Sequence, residues 1–233
     1  MFALPYAGGS ASIYRDWISE LKPEIEVCPI EYPGHASRFC DPYYSSIEAA
    51  AEEISETILR QNPSDYVIYG HSMGALIALE TAYVLEKKTD KLPRAVIVAA
   101  SRPPHMRNKG IQLHELSREE LLQTIISRGQ FEPEILECEE LMDMIADILY
   151  ADVQMFTRYT RSYEERKIHV PLLALLGEED EETPPEDMQE WEKYTGQDFS
   201  LHVFKGSHFF AFNNHTEFVS YLRKYLKEGE KKQ

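Results

Sequence analysis

The sequence predicts an α/β fold in which a largely parallel central sheet is covered by flanking helices. Three observations carry that expectation. Short apolar, β-rich runs alternate with helix-like segments along most of the 233 residues. Several of the runs are continuously apolar instead of alternating, as strands buried on both faces are. One junction, YVIYGHSMGALIAL (66–79), passes from a β-rich run through a serine set between two glycines straight into a helix-like stretch.

In order along the chain, the predicted strands are MFALP, EVCPIEY, YVIYG, AVIVAAS, VPLLALLG and SLHVF. Their shortness favours strand over helix. SSIEAAAEEISETILRQNP (45–63) reads as an amphipathic helix, with Ile47, Ile54 and Ile58 at helical spacing and Pro63 beyond its end. Ser45 and Glu48 have the spacing of a capping box at its start. MGALIALETAYVLEKK continues the serine junction as a helix. HTEFVSYLRKYLK near the C-terminus places Phe218, Leu222 and Tyr225 or Leu226 on one stripe, and the final EGEKKQ is expected to fray.

The segment 102–167 breaks the rhythm, because SREELLQTIISRG and ECEELMDMIADILYADVQMFTRY are helical with no strand between them. It is expected to be a helical insertion into a core formed by 1–101 and 168–233. Ser117 and Glu120 have capping-box spacing at its first helix, and its Met, Leu, Ile and Phe content exceeds the needs of a surface helix. A self-packing subdomain and a lid opening about Gly129 both fit that pattern.

Composition narrows the function classes. Forty acidic against 24 basic residues give a net charge of −16, which repels phosphate backbones and anionic lipid, so neither nucleic acid nor a membrane is an expected partner. The acidic runs EPEILECEE and GEEDEETPPED read first as solvated surface. Cys28, Cys40 and Cys138 are odd in number and lack C-x-x-C spacing, which suggests reduced thiols. With no signal segment or apolar run of membrane-spanning length legible, a cytoplasmic location is expected.

The chemistry is concentrated at Gly70-His71-Ser72-Met73-Gly74, a G-x-S-x-G motif in the strand-to-helix context that makes it informative. Such an elbow lifts a serine to the C-terminal end of a strand and aims helix amides at developing negative charge. A serine nucleophile needs a base oriented by an acid, and here these follow in the order Ser, acid, His. LLALLGEED supplies Asp180 after a late strand, although Glu178, Glu179, Glu181 and Glu182 crowd it. GSHFF supplies His208 between the last strand and the terminal helix, a place none of the other seven histidines occupies. His71, His202 and His215 read as structural. An oxyanion hole needs two backbone amides. Met73 offers one, and the Gly8-Gly9 turn in LPYAGGSASIYRDW points to Ala7, with Tyr6 as the alternative. No metal-ligand cluster or dinucleotide or triphosphate loop is legible, so no cofactor is expected.

PYAGGSASIYRDW, EYPGHASR, YGHSMGALIALE, SRPPH, YADVQMFTRY, LLGEEDEETPPEDMQEW and GSHFF occur together in an order and spacing that resembles the type II, stand-alone thioesterases of nonribosomal peptide and polyketide synthesis. The resemblance covers nearly the whole chain. It implies an α/β-hydrolase fold with a helical lid, a Ser72, Asp180, His208 triad and oxyanion amides at Ala7 and Met73. The implied substrate is an acyl or peptidyl thioester on the phosphopantetheine arm of an acyl or peptidyl carrier protein, and the expected enzyme is a monomer. GEEDEET is more acidic than the family pattern. Two rival readings share the same residues: a small-molecule carboxylesterase or acyltransferase, and a catalytically silent hydrolase-fold binding protein.

Overall fold

A computed structural model describes residues 1–106, 113–126, 138–161, 164 and 166–229. Six parallel strands form one sheet: β1 Phe2–Leu4, β2 Cys28–Pro29, β3 Ile68–His71, β4 Val96–Ala99, β5 Leu172–Gly177 and β6 Phe199–Phe204, in the order β2-β1-β3-β4-β5-β6. These are the six runs predicted from sequence. Alternate residues of each inner strand enter opposite cores. Phe2, Leu4, Ile68, Val96, Val98, Leu172, Ala174 and Leu176 join one cluster, and Ala3, Val67, Tyr69, Ile97, Ala99, Leu173 and Leu175 join the other. Burial on both faces is why these strands read as unbroken apolar runs.

The helices follow from their apolar stripes. On the first face lie α2 (Ile47–Gln61) and α3 (Met73–Lys88), and on the second lie α1 (Arg15–Glu20), through Trp17, and the terminal helix (His215–Gly229), through Phe218, Val219, Leu222 and Leu226. Each such fully buried side chain contributes about 2 kcal/mol relative to exposure. The start of α2 differs from expectation by one residue. Ser46, not Ser45, is the N-cap: its extended backbone lets Oγ accept from the Ala49 amide at 3.1 Å. Ile47 then enters the first turn fully buried, and Glu48 sits in that turn near the positive end of the helix dipole. Asn62, at φ 47°, closes the other end with its N–H on the Ile58 carbonyl, immediately before Pro63. The terminal helix runs through Gly229, and 230–233 lie outside the described residues.

Within 102–167 the described residues contain α4 (Arg118–Ile126) and α5 (Glu139–Thr157). The predicted capping box is formed reciprocally: the Ser117 amide donates to Glu120 Oε2 at 2.8 Å, and the Glu120 amide to Ser117 Oγ at 3.2 Å. Leu121, Leu149, Val153, Met155, Phe156 and Tyr159 belong to the same buried cluster as α2 and α3, so the apolar surplus of this segment is spent on the main core. Gly129 lies outside the described residues. After β5, a short helix (Pro185–Gln189) and a 3-10 turn carrying Trp191 and Tyr194 lead back to β6, and another short helix (Phe210–Asn213) follows it. No helix among the described residues is long and apolar enough to cross a membrane.

Candidate active site

In parallel α/β sheets, side chains and ligands meet beyond the carboxyl ends of the strands, at the point where strand order reverses. Here that point is β1, which has β2 on one side and β3 on the other. The loop after β1 carries Ala7, and the turn after β3 carries Ser72. The two are in contact, since a Cβ placed on Gly74 would come within 2.3 Å of the Leu4 carbonyl oxygen and 2.6 Å of that of Pro5. At Gly70 a Cβ would meet the Gly74 oxygen at 2.0 Å. Both glycines of the motif are therefore required by close backbone packing.

Ser72 sits at φ 54°, ψ −114°, a conformation that costs a non-glycine residue about 1–3 kcal/mol. Its amide is fixed to the Ala99 carbonyl at 2.8 Å. It occupies the N-cap position of α3, yet its hydroxyl makes no capping bond and the residue is only half-buried. Met73 is the first helical residue, and its amide is one of those a helix N-terminus leaves without an intrahelical partner.

His208 and Asp180 are joined directly, with Nδ1–H of the imidazole donating to Asp180 Oδ2 at 2.8 Å. The same oxygen accepts from the Thr183 hydroxyl at 2.7 Å, and Oδ1 accepts from the Glu182 amide at 3.0 Å. Burial acts to raise the Asp180 pKa, but the bond and charge of His208, with the Thr183 and Glu182 bonds, hold it below the usual carboxylate range. A carboxylate can only accept, so Nδ1 carries the proton and Nε2 keeps the lone pair a general base needs.

His71 fixes the His208 loop to the serine elbow. Its Nε2–H donates to the His208 carbonyl at 2.9 Å, its Nδ1 accepts from the Tyr69 hydroxyl at 3.0 Å, and the two imidazole centroids are 5.5 Å apart. Burial, and then the neighbouring His208, push the His71 pKa down to about 3, which keeps the ring neutral. Tyr6, after β1, packs edge-on against His71, Phe209 and Phe212, at 5.9, 5.0 and 5.5 Å between ring centroids. The loops that carry Ala7, Ser72 and His208 are thus bound to one another. The other two histidines read as structural lie elsewhere: His202 stacks on Tyr221 at 4.0 Å, and His215 pairs with Glu20 at 3.0 Å.

The Tyr6–Gly9 loop is a tight turn closed by Gly9 N–H on the Tyr6 carbonyl at 2.9 Å, with Gly8 at φ 79° in its third position, as in a type II turn. The Gly8 amide donates to Asp152 Oδ2 at 2.8 Å. Of the four residues in this turn, Gly8 and Gly9 therefore have their amides engaged. Among the described residues no group of three or more His, Cys, Asp or Glu side chains could hold a metal ion.

With this geometry in place, the match of residues 1–226 to the thioesterase domain family decides the identity. The chain belongs to the thioesterase domain family. It is 31% identical to the protein named linear gramicidin dehydrogenase LgrE of Brevibacillus parabrevis over 229 residues, covering 97% of this chain and 87% of that one. The dehydrogenase in that name has no counterpart at the first strand-to-helix turn here, which reads PYAGGS and not G-x-G-x-x-G. Among solved structures, ClbQ from the colibactin NRPS/PKS pathway superposes with a TM-score of 0.90 at 26% identity, covering 100% of this chain and 98% of that one. The type II thioesterase BorB from the borrelidin biosynthetic cluster gives 0.86 at 27% identity, covering 97% and 91%. The thioesterase reading and the α/β-hydrolase fold implied by the sequence motifs are therefore those of the molecule.

Proposed function

We propose that this thioesterase is a type II editing enzyme that hydrolyses misprimed or stalled acyl and peptidyl groups from the phosphopantetheine arm of carrier proteins. The observation that carries the reading is the Asp180–His208 pair at 2.8 Å, bound through His71 to an elbow that presents an uncapped, positive-φ Ser72. In the proposed reaction His208 Nε2 takes the Ser72 proton as Oγ attacks the thioester carbonyl, while Asp180 orients the ring and stabilises its charged form. The amides of Ala7 and Met73 receive the oxyanion. The carrier thiolate departs with the proton from His208, leaving an acyl-enzyme, and a water activated by the same imidazole completes hydrolysis. Thiolate is a good leaving group, so less assistance is needed to expel it than an amine requires. No step calls on a resident cofactor, since the phosphopantetheine arrives on the substrate. The enzyme acts as a cytoplasmic monomer in this reading, and the helices of 102–167 cover the site as a lid.

The direct test is Ser72→Ala. It should fold like wild type and lose at least about a thousandfold in turnover of an acyl-carrier substrate. A fluorophosphonate probe should modify wild type at Ser72 and leave the variant unmodified. Turnover by Ser72→Ala near the wild-type rate would overturn the mechanism. No labelling, with no hydrolysis of any ester, would favour a silent binding protein.

A further inference from the structure

Two stretches quoted for the family resemblance, EYPGHASR and YADVQMFTRY, have no role in the chemistry so far, and the structure joins them at one point. Asp152, on α5, and His35, in the loop after β2, lie 117 residues apart in sequence and 3.0 Å apart in space, through Asp152 Oδ2 and His35 Nε2. Their side chains are 7% and 2% exposed. The other ring nitrogen, Nδ1, lies 3.0 Å from the Pro33 carbonyl oxygen. A carboxylate and a carbonyl both accept, so both ring nitrogens donate and His35 is an imidazolium. Burial acts to lower its pKa, but the bond and charge of Asp152 and the Pro33 carbonyl more than offset this and raise it. This is a buried ion pair, and its carboxylate oxygen has a third partner, the Gly8 amide at 2.8 Å.

That third bond lands on the turn that carries Ala7. Gly8 is itself solvent-exposed and held at φ 79°, and a Cβ there would lie 3.5 Å from Leu149 Cδ1, one helical turn before Asp152 on the same helix. Inside a turn closed by Gly9 N–H on Tyr6 O, the two central amides point outward, and Asp152 takes the second of them. The Asp152 bond to Gly8 N–H orients the Ala7–Gly8 peptide, and the Gly9 N–H bond to the Tyr6 carbonyl orients the Tyr6–Ala7 peptide that carries the Ala7 N–H, so the two bonds together hold the turn on both sides of Ala7. We infer that Asp152, held in place by His35, is a positioning residue that sets the oxyanion-hole turn through Gly8 and makes its geometry depend on the seating of α5. The inference rests on the proposed role of the Ala7 amide. It adds a residue outside the triad whose loss weakens binding of the tetrahedral state and spares binding of the ground state.

The experiment compares wild type and Asp152→Ala on an acyl-pantetheine thioester. Loss of a supporting partner, or a misplacement on the order of 1 Å, costs about 10–100-fold, and that loss should fall on kcat with KM changed less than about threefold. Affinity for an acyl trifluoromethyl ketone, which forms the tetrahedral adduct, should fall by the same factor as kcat. Affinity for the non-hydrolysable acyl-pantetheine thioether should not. A merely structural residue would move all of these together or none. Independently of folding in the variant, amide exchange at Gly8 of wild type should be slow for an exposed loop glycine, and exchange at the rate of a free loop amide would overturn the clamp. A wild type that hydrolyses no thioester would sink the underlying enzymatic reading, whereas an active wild type with Asp152→Ala inside twofold in kcat would sink the clamp alone.

Discussion

Asp180 accepts three hydrogen bonds from inside the protein while Glu178, Glu179, Glu181 and Glu182 around it are exposed. One carboxylate of the acidic run can therefore orient His208. Asp180→Asn should lower turnover by about ten-thousandfold, as loss of the acid of a Ser-His-Asp triad does. Separate Gln substitutions at Glu178, Glu179 and Glu181 should stay within about threefold of wild type, and a triad-sized loss at any of them in steady-state kinetics would move the assignment. His71 gives a second prediction, on pH. Its folded pKa is depressed to about 3, so its stabilising contribution is complete above the unfolded imidazole value of roughly 6.5 and is lost as pH falls below that. His35, with a raised pKa, works in the opposite sense: its contribution is present below that value and fades as pH rises through its folded pKa. His71→Gln keeps an N–H for the His208 carbonyl but does not titrate. Urea unfolding between roughly pH 6 and 4 should therefore lose up to one proton of slope, about 1.4 kcal/mol per pH unit. Superimposable slopes would refute the neutral, buried His71. The sequence made Ser72 and His208 legible through motif and order. Asp180 was legible as spacing alone, because the burial that separates it from its glutamate neighbours is a tertiary fact.

At the scale of elements, the six strands were legible because two-sided burial writes a continuous apolar run, and the cap helices because their stripes exceed a single surface face. The first residue of α2 was not, since Ser45 and Ser46 both suit an N-cap and the choice is made by the fit of Ile47 in the core. Equally invisible was the anchoring of α5 and of the chain that follows it to the core, at one point each. One is Asp152. The other is a stripe on α3, where buried Glu80 accepts from the Tyr159 hydroxyl and from Arg161 at 2.8 Å each. Tyr83 packs against the guanidinium groups of Arg161 and Arg166, at 5.3 and 5.0 Å from its ring centroid, and Glu86 accepts from Arg166 at 2.9 Å. Such contacts join residues about 80 positions apart, which no local pattern encodes. If 102–167 acts as a lid, its motion belongs to the part before these anchors. Hydrogen exchange should be faster in α4 and in residues 139–148 than in β3, β4 and β5, with residues 149–157 protected nearly as well as the strands. Strand-like protection throughout 118–148 would make the segment a fixed cover.

For the whole molecule, the net charge of −16 sets the terms of encounter with a partner. Carrier proteins are commonly acidic, so long-range repulsion should slow association, and added salt should raise kcat/KM on a carrier-bound substrate modestly by screening it. The proposed function therefore predicts recognition through short-range contacts with the carrier and its arm, remote from the carbonyl, which can lower the transition-state barrier. The most direct measurement compares kcat/KM for one short acyl group on a phosphopantetheinylated carrier protein, on free pantetheine, and as a simple oxoester. The carrier-bound form should be fastest. Losing two partner-facing contacts costs about 3 kcal/mol, roughly a hundredfold, on going to free pantetheine. Equal rates on all three substrates would contradict carrier recognition, and a preference for the oxoester would make the protein a small-molecule esterase.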